Sequence, residues 1–151
     1  MLITEYDGTK YHGSQYQDNA PTVQRETEHA LQKLTGEKTR VAVASRTDTG
    51  VHAEGQVMSF KTNSSFSSQI WVNALNFHLP RDIAVKAAYK VNNGFDVRHD
   101  AWSREYRYFI LNRCAPSPLM RRFSYLVPQP VDIEAMNYAC QVLIGEHDFA
   151  S

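Results

Sequence analysis

A chain of 151 residues and 17.2 kDa, 42% hydrophobic and 21% charged, has room for one globular domain with a buried core. No stretch reaches the roughly 18 apolar residues of a membrane span, and the polar N-terminus carries no signal-peptide pattern, so a cytoplasmic setting away from membranes is expected. Sixteen basic residues balance sixteen acidic ones, which argues against a generic polyanion binder, and two isolated cysteines with six scattered histidines offer neither a disulfide framework nor zinc-ligand spacing.

In chain order, a strand is expected over residues 1–6, closed by the turn pair Asp7-Gly8. Residues 9–21 are polar, contain Gly13 and Pro21, and read as a loop. Apolar or semi-apolar positions at 23, 27, 30, 31 and 34 have helical spacing, with Thr22 as N-cap and Gly36 as stop. Residues 41–44 form a short apolar run, the pattern of a strand buried on both faces. A glycine-containing loop over 45–55 and a strand over 57–60 follow. Ser67 or Ser68 can cap a second helix carrying Ile70, Trp71, Ala74, Leu75 and His78 on one side and ending before Pro80. Residues 83–91 and 106–111 read as strands, and Asp132 can cap a third helix presenting Met136, Ala139, Cys140 and Leu143. This order predicts an α+β fold of ferredoxin-like (RRM-like) type, a split βαβ unit with helices on one face of an antiparallel sheet and the other face free for a ligand.

Charge is unevenly placed. Residues 98–122 hold Arg98, Arg104, Arg107, Arg113, Arg121 and Arg122 against two acidic residues, a net +4, and residues 123–151 carry −4. The arginines interleave with Trp102, Tyr106, Tyr108 and Phe109, a mixture suited to phosphates with bases stacked beside them. A solvated strand face balanced by the acidic tail fits the same charges.

Asp48 sits in the loop directly after the apolar run, and Arg46 lies two residues before it. In an extended segment residues i and i+2 point to one side, so guanidinium and carboxylate can share a pocket. Such a pair favours the ionised carboxylate that a nucleophile or general base requires, and Gly50 permits a sharp turn beyond it. Asp-Thr-Gly is also ordinary Asx-turn chemistry, and spacing alone favours that reading. The same triplet occurs in aspartic proteases, whose paired carboxylates share a proton; Arg46 opposes such sharing, and no alanine or serine follows Gly50.

The segment Arg46-Thr47-Asp48-Thr49-Gly50-Val51-His52-Ala53 resembles the GRTDAGVHA signature of the TruA-type tRNA pseudouridine synthases. Glu5-Tyr6-Asp7-Gly8-Thr9-Lys10-Tyr11-His12-Gly13 resembles their YDGxxYxG opening, Thr22-Val23-Gln24 their (T/S)VQ helix start, and Gly55-Gln56-Val57 their GQV. Residues 73–85 resemble NxxLPxDIAV, residues 95–108 the F-x-A-R…Y-R-Y segment, and residues 145–149 GxHDF, all in the family's order along nearly the whole chain.

The resemblance implies isomerisation of uridine to pseudouridine in the tRNA anticodon stem-loop, with Asp48 as the single catalytic carboxylate and with neither metal nor organic cofactor. The uridine must leave its stack, at a cost of a few kcal/mol. Arg46 would fill the vacated space or steady the flipped nucleotide, and Tyr106, aligned with the first tyrosine of Y-R-Y, would stack on the uracil. Arg98, Arg104 and Arg107 become candidate phosphate contacts. Ser45 departs from the glycine before R-T-D, Ser14 from the tryptophan of G-W-Q, and Asp100 from a small residue. Family members continue into a second, similarly folded half that supplies a basic partner for the aspartate, much of the base pocket and the contacts of a homodimer. The chain is therefore expected to be an N-terminal half whose first strand begins a few residues late. Residues 1–92 would be its ferredoxin-like catalytic subdomain, and residues 93–151 a basic strand segment and helix leading into the second half. Without that half, a non-catalytic RNA-binding module or an inert fragment is the alternative.

Overall fold

The computed structural model describes residues 1–148, so Phe149 of the GxHDF-like block lies outside the described residues. The chain separates into two compact units, Met1–Glu105 and Tyr106–Ser151.

The first unit runs β1 (Leu2–Tyr6), α1 (Val23–Thr35), β2 (Ala42–Val43), β3 (Ala53–Ser59), α2 (Ser68–His78) and β4 (Ile83–Ala88). The strands pair antiparallel in the order β2-β3-β1-β4, the ferredoxin-like arrangement expected from the element order. Period-two alternation decides which face is covered. Leu2, Thr4 and Tyr6 of β1, Met58 of β3, and Ile83 and Val85 of β4 are buried, and Val23, Ala30 and Leu31 of α1 join Trp71 and Leu75 of α2 in the same core. Each large apolar side chain buried there contributes roughly 1.5–3 kcal/mol by removal from water.

The helix ends follow from their capping chemistry. Thr22 Oγ1 accepts the Arg25 N–H at 3.3 Å, and Gly36 closes α1 in left-handed backbone at φ 74°. Ser67 caps α2, and Asn76 on its outer side exchanges hydrogen bonds of 2.7 and 2.9 Å with the backbone of Val85. That carboxamide satisfies polar groups on β4, an edge strand whose backbone would otherwise face water.

Several local expectations are corrected. The 41–44 run is not a strand buried on both faces: β2 is a two-residue edge strand with Ala42 exposed and Val43 buried, because helices cover only one face of the sheet. β3 starts at Ala53, earlier than expected, since Gly55 is accommodated within a strand paired to β1. Ile70 is exposed, and only Trp71 and Leu75 of α2 are buried. The strand expected at 83–91 ends at Ala88.

The second unit holds β5 (Ile110–Asn112) and β6 (Tyr125–Val127), paired in parallel, and α3 (Ile133–Cys140), capped by Asp132 as expected. The strand expected at 106–111 is thus short and late. Tyr106 precedes it because only residues 110–112 find ladder partners, in a strand that residue patterning missed. No residue of α3 is buried.

One core contact carries a pH signature. Tyr11 is buried, and its hydroxyl donates to Asp82 Oδ1 at 2.5 Å. Burial foremost, then the hydrogen bond and the charge of Asp82, push the phenol well above its usual value near 10. The folded state keeps a proton that the unfolded chain sheds above pH ~10. This contribution is therefore complete at neutral pH and is lost as the medium becomes more alkaline. Urea unfolding at about pH 9 and about pH 11 should show a smaller loss of stability for Tyr11→Phe than for the wild type.

Candidate active site around Asp48

Asp48 lies in the loop joining β2 to β3, and that loop is laid against the one joining β1 to α1. The two are joined through backbone. Ser14 N–H donates to Thr47 O at 2.9 Å, Thr47 N–H donates to Ser14 Oγ at 2.8 Å, and Gly50 N–H donates to Tyr11 O at 3.2 Å. Tyr6 Oη and Thr47 Oγ1 stand 2.8 Å apart. Gly8 N–H lies 3.2 Å from His52 Nδ1, which also stands 3.1 Å from Asp7 Oδ1. A single ring nitrogen serves one of these at a time: an Nδ1 without a proton accepts from Gly8, and an Nδ1 that carries one donates to Asp7.

Two glycines make this approach possible. A Cβ on Gly8 would fall 2.0 Å from Val51 O, and one on Gly13 would fall 2.6 Å from Thr47 O. Gly13 also adopts φ 85°, a region costly for other residues. Behind the loop, buried Gln56 donates from Nε2 to Ser45 O at 2.6 Å and accepts the Ser45 N–H at Oε1 at 3.4 Å. Its carboxamide extends strand-like pairing past the end of β2, and its own backbone carbonyl accepts from Thr4 Oγ1 at 3.0 Å. Residue patterns place Gly8 in a turn and assign Gly13, Ser14 and Gln56 no part in holding the Asp48 loop. The polar run 9–21 looked like plain loop, although a glycine beside a serine within it was the signal available.

The result is an open pocket of about 340 Å³. Arg46, Thr47, Asp48 and Thr49 line it from one loop, and His12, Gln15 and Gln17 line it from the other. Its volume lies within the range used for small-ligand recognition. Among the described residues, the Asp48 carboxylate and the Arg46 guanidinium make no ion pair with each other and no side-chain hydrogen bond, and both residues line the pocket. Tyr106 belongs to the second unit, is exposed, and has a partner there or elsewhere in the chain, as does Arg107. Arg98 and Arg104 belong to the first unit and are partly occupied by backbone. Arg98 Nε donates to Val43 O at 3.4 Å, and Arg104 donates to Ala44 O at 3.2 Å and Arg98 O at 3.0 Å. No group of three His, Cys, Asp or Glu side chains able to hold a metal occurs among the described residues, and none of their helices is long and apolar enough to cross a membrane.

A ferredoxin-like unit that presents a carboxylate and a guanidinium in one open polar pocket is equipped for nucleophilic or general-base chemistry on a polar, anionic substrate. The sequence model of the family described as tRNA pseudouridine synthase matches residues 2–100. Among curated relatives, the tRNA pseudouridine synthase A of Thermoanaerobacter sp. (strain X514) is 47% identical over 151 residues, covering 100% of this chain and 62% of the relative. That of Roseiflexus castenholzii is 49% identical over 149 residues, covering 99% and 55%, and that of Citrifermentans bemidjiense is 45% identical over 150 residues, covering 99% and 60%. The chain belongs to the tRNA pseudouridine synthase family. It spans about three fifths of the length of these relatives.

The loop junction gives a direct expectation. Gly13→Ala should destabilise the protein by about 1–3 kcal/mol through its positive φ, with further loss from the Thr47 contact. Gln56→Leu should cost about 1–3 kcal/mol by removing both bonds to Ser45. Thermal unfolding of each variant measures these losses. A variant as stable as the wild type would show that the corresponding contact does not hold the loop.

Proposed function

We propose that the full-length protein isomerises uridine to pseudouridine in the anticodon stem-loop of tRNA, with Asp48 as its catalytic carboxylate. The observation that carries this reading is the pocket shared by Asp48 and Arg46, formed by the segment that resembles the family's signature. In the reaction the bond from ribose C1′ to uracil N1 breaks, the base turns, and C1′ bonds to C5. The proton on C5 leaves, and N1 takes up one. Atoms and electrons balance within the nucleotide and its proton exchange, so neither an oxidant nor an organic cofactor enters the scheme.

Asp48 acts as nucleophile on the ring or sugar, or as the base that removes a sugar proton. Each role needs an ionised, accessible carboxylate. Arg46 steadies the flipped nucleotide or occupies the space it leaves, replacing part of the stacking lost on extrusion. Tyr106 supplies an aromatic face for the uracil, Arg98 and Arg104 contact phosphates with the donors that backbone carbonyls do not use, and Arg107 contacts a phosphate as well. The full-length protein works in the cytoplasm as a homodimer. Residues 1–92 form its N-terminal catalytic subdomain, and residues 93–151 lead into the second half.

Tritium release from tRNA labelled at uracil C5 counts turnovers. Full-length protein should release tritium, and full-length Asp48→Asn should release none. Undiminished release by that variant would remove Asp48 from the catalytic role. Tyr106→Phe should retain most activity and Tyr106→Ala should lose it, because stacking needs the ring and not the hydroxyl.

A further inference from the structure

Trp102 stands apart from the other large side chains of the first unit. Its relative exposure is 103%, whereas the other tryptophan, Trp71, is buried and packed edge-on against Phe60 and Phe66 at 5.3 and 5.5 Å. An indole left wholly in water forfeits the gain from burial that a ring of that size offers. Its setting is an ordered turn of mixed charge. Asp96 Oδ1 accepts the N–H groups of Arg98 and His99 at 2.8 and 3.1 Å, and Asp96 N–H donates to Asp100 Oδ2 at 2.9 Å, which closes a tight turn just before Trp102. Those backbone donors, that of Arg98 foremost, hold the Asp96 carboxyl below the usual carboxylate range. Val97 anchors the same turn in the interior.

On either side of Trp102, Arg98 and Arg104 are tied to carbonyls of the strand that leads into the Asp48 loop, Val43 O and Ala44 O. A guanidinium has five N–H donors, so each arginine keeps donors for a phosphate while its position is set in advance. An exposed aromatic face with a backbone-tethered arginine before and after it in sequence suits a single-stranded nucleic acid, whose bases stack and whose phosphates attract arginine.

We propose that Trp102 is a stacking platform for an unpaired base of the RNA substrate, outside the Asp48 pocket, with Arg98 and Arg104 holding the adjoining phosphates. This rests on the reading that RNA is the substrate. The nucleotide it takes is a neighbour of the one undergoing isomerisation, because the arginines tether the platform to the strand that feeds the Asp48 loop.

The test uses the full-length protein and an unmodified tRNA transcript. Trp102→Ala should raise the Kd for tRNA about tenfold, and Trp102→Phe should recover most of the affinity. Neither change should lower the melting temperature, since the side chain is fully exposed. The fluorescence component lost in Trp102→Phe should be quenched by acrylamide in the free protein and protected when tRNA is added. Unchanged affinity of Trp102→Ala, or a Trp102 already shielded from acrylamide without RNA, overturns the proposal. If the wild type turns over tRNA while Trp102→Ala binds equally well, only the stacking contact is wrong. If the wild type neither binds tRNA nor releases tritium, the functional reading fails and this contact with it.

Discussion

Both polar groups of the Thr47 backbone are bound by one residue, Ser14, whose N–H donates to the Thr47 carbonyl and whose hydroxyl accepts the Thr47 N–H. This pair of hydrogen bonds between two loops is the constraint on which the rest of the site depends. It requires Gly13 at a positive φ with no Cβ in the path of Thr47 O, and Gly8 with none in the path of Val51 O. Once it forms, a loop after β2 and a loop after β1 become one platform, and the pocket between them has Asp48 and Arg46 on one wall. A loop this long would otherwise sample many conformations, and fixing a residue's backbone costs about 1–2 kcal/mol. The hydrogen bonds from Ser14, Tyr6 and Gln56 offset part of that cost at the residues beside the carboxylate.

The fold was legible where local chemistry and periodicity agree. Thr22 and Gly36 bracket α1 as a capping residue and a left-handed stop should, and Ser67 and Asp132 open the other two helices. It was illegible where a partner decides. Residues 41–44 look fit for a central strand, yet β2 lies at the sheet edge, and neighbours in sequence do not reveal which side helices leave open. Tyr106 to Phe109 have strand-like composition without ladder partners, while residues 125–127 become a strand through pairing with residues 110–112. Asp48 and Arg46 were legible by their company with the family's other segments. The platform beneath them was not, because the bond between Ser14 and Thr47 spans 33 positions and glycines reveal close approach only when the approaching backbone is in place.

The distribution of charge is likewise explained by neighbours. A chain of zero net charge still places exposed arginines beside the strand leading to the pocket. Arg98 and Arg104 are bound to backbone carbonyls there, which separates two roles that charge counting merges. One part of each guanidinium satisfies the end of an edge strand, and the remaining donors are available to an anion. Composition taken over the whole chain conceals such a local field, and the acidic tail at 123–151 cancels it in the sum.

The role proposed for the pocket between the two loops is to receive the target base against the Asp48 carboxylate. The most direct measurement is a crystal structure of the full-length Asp48→Asn protein bound to tRNA, in which the substrate remains unreacted. The predicted result is an extruded uridine in the pocket lined by Arg46, with the substituted carboxamide at position 48 against its sugar or ring. A bound tRNA whose target uridine lies stacked in its helix, or in another cavity, would contradict it.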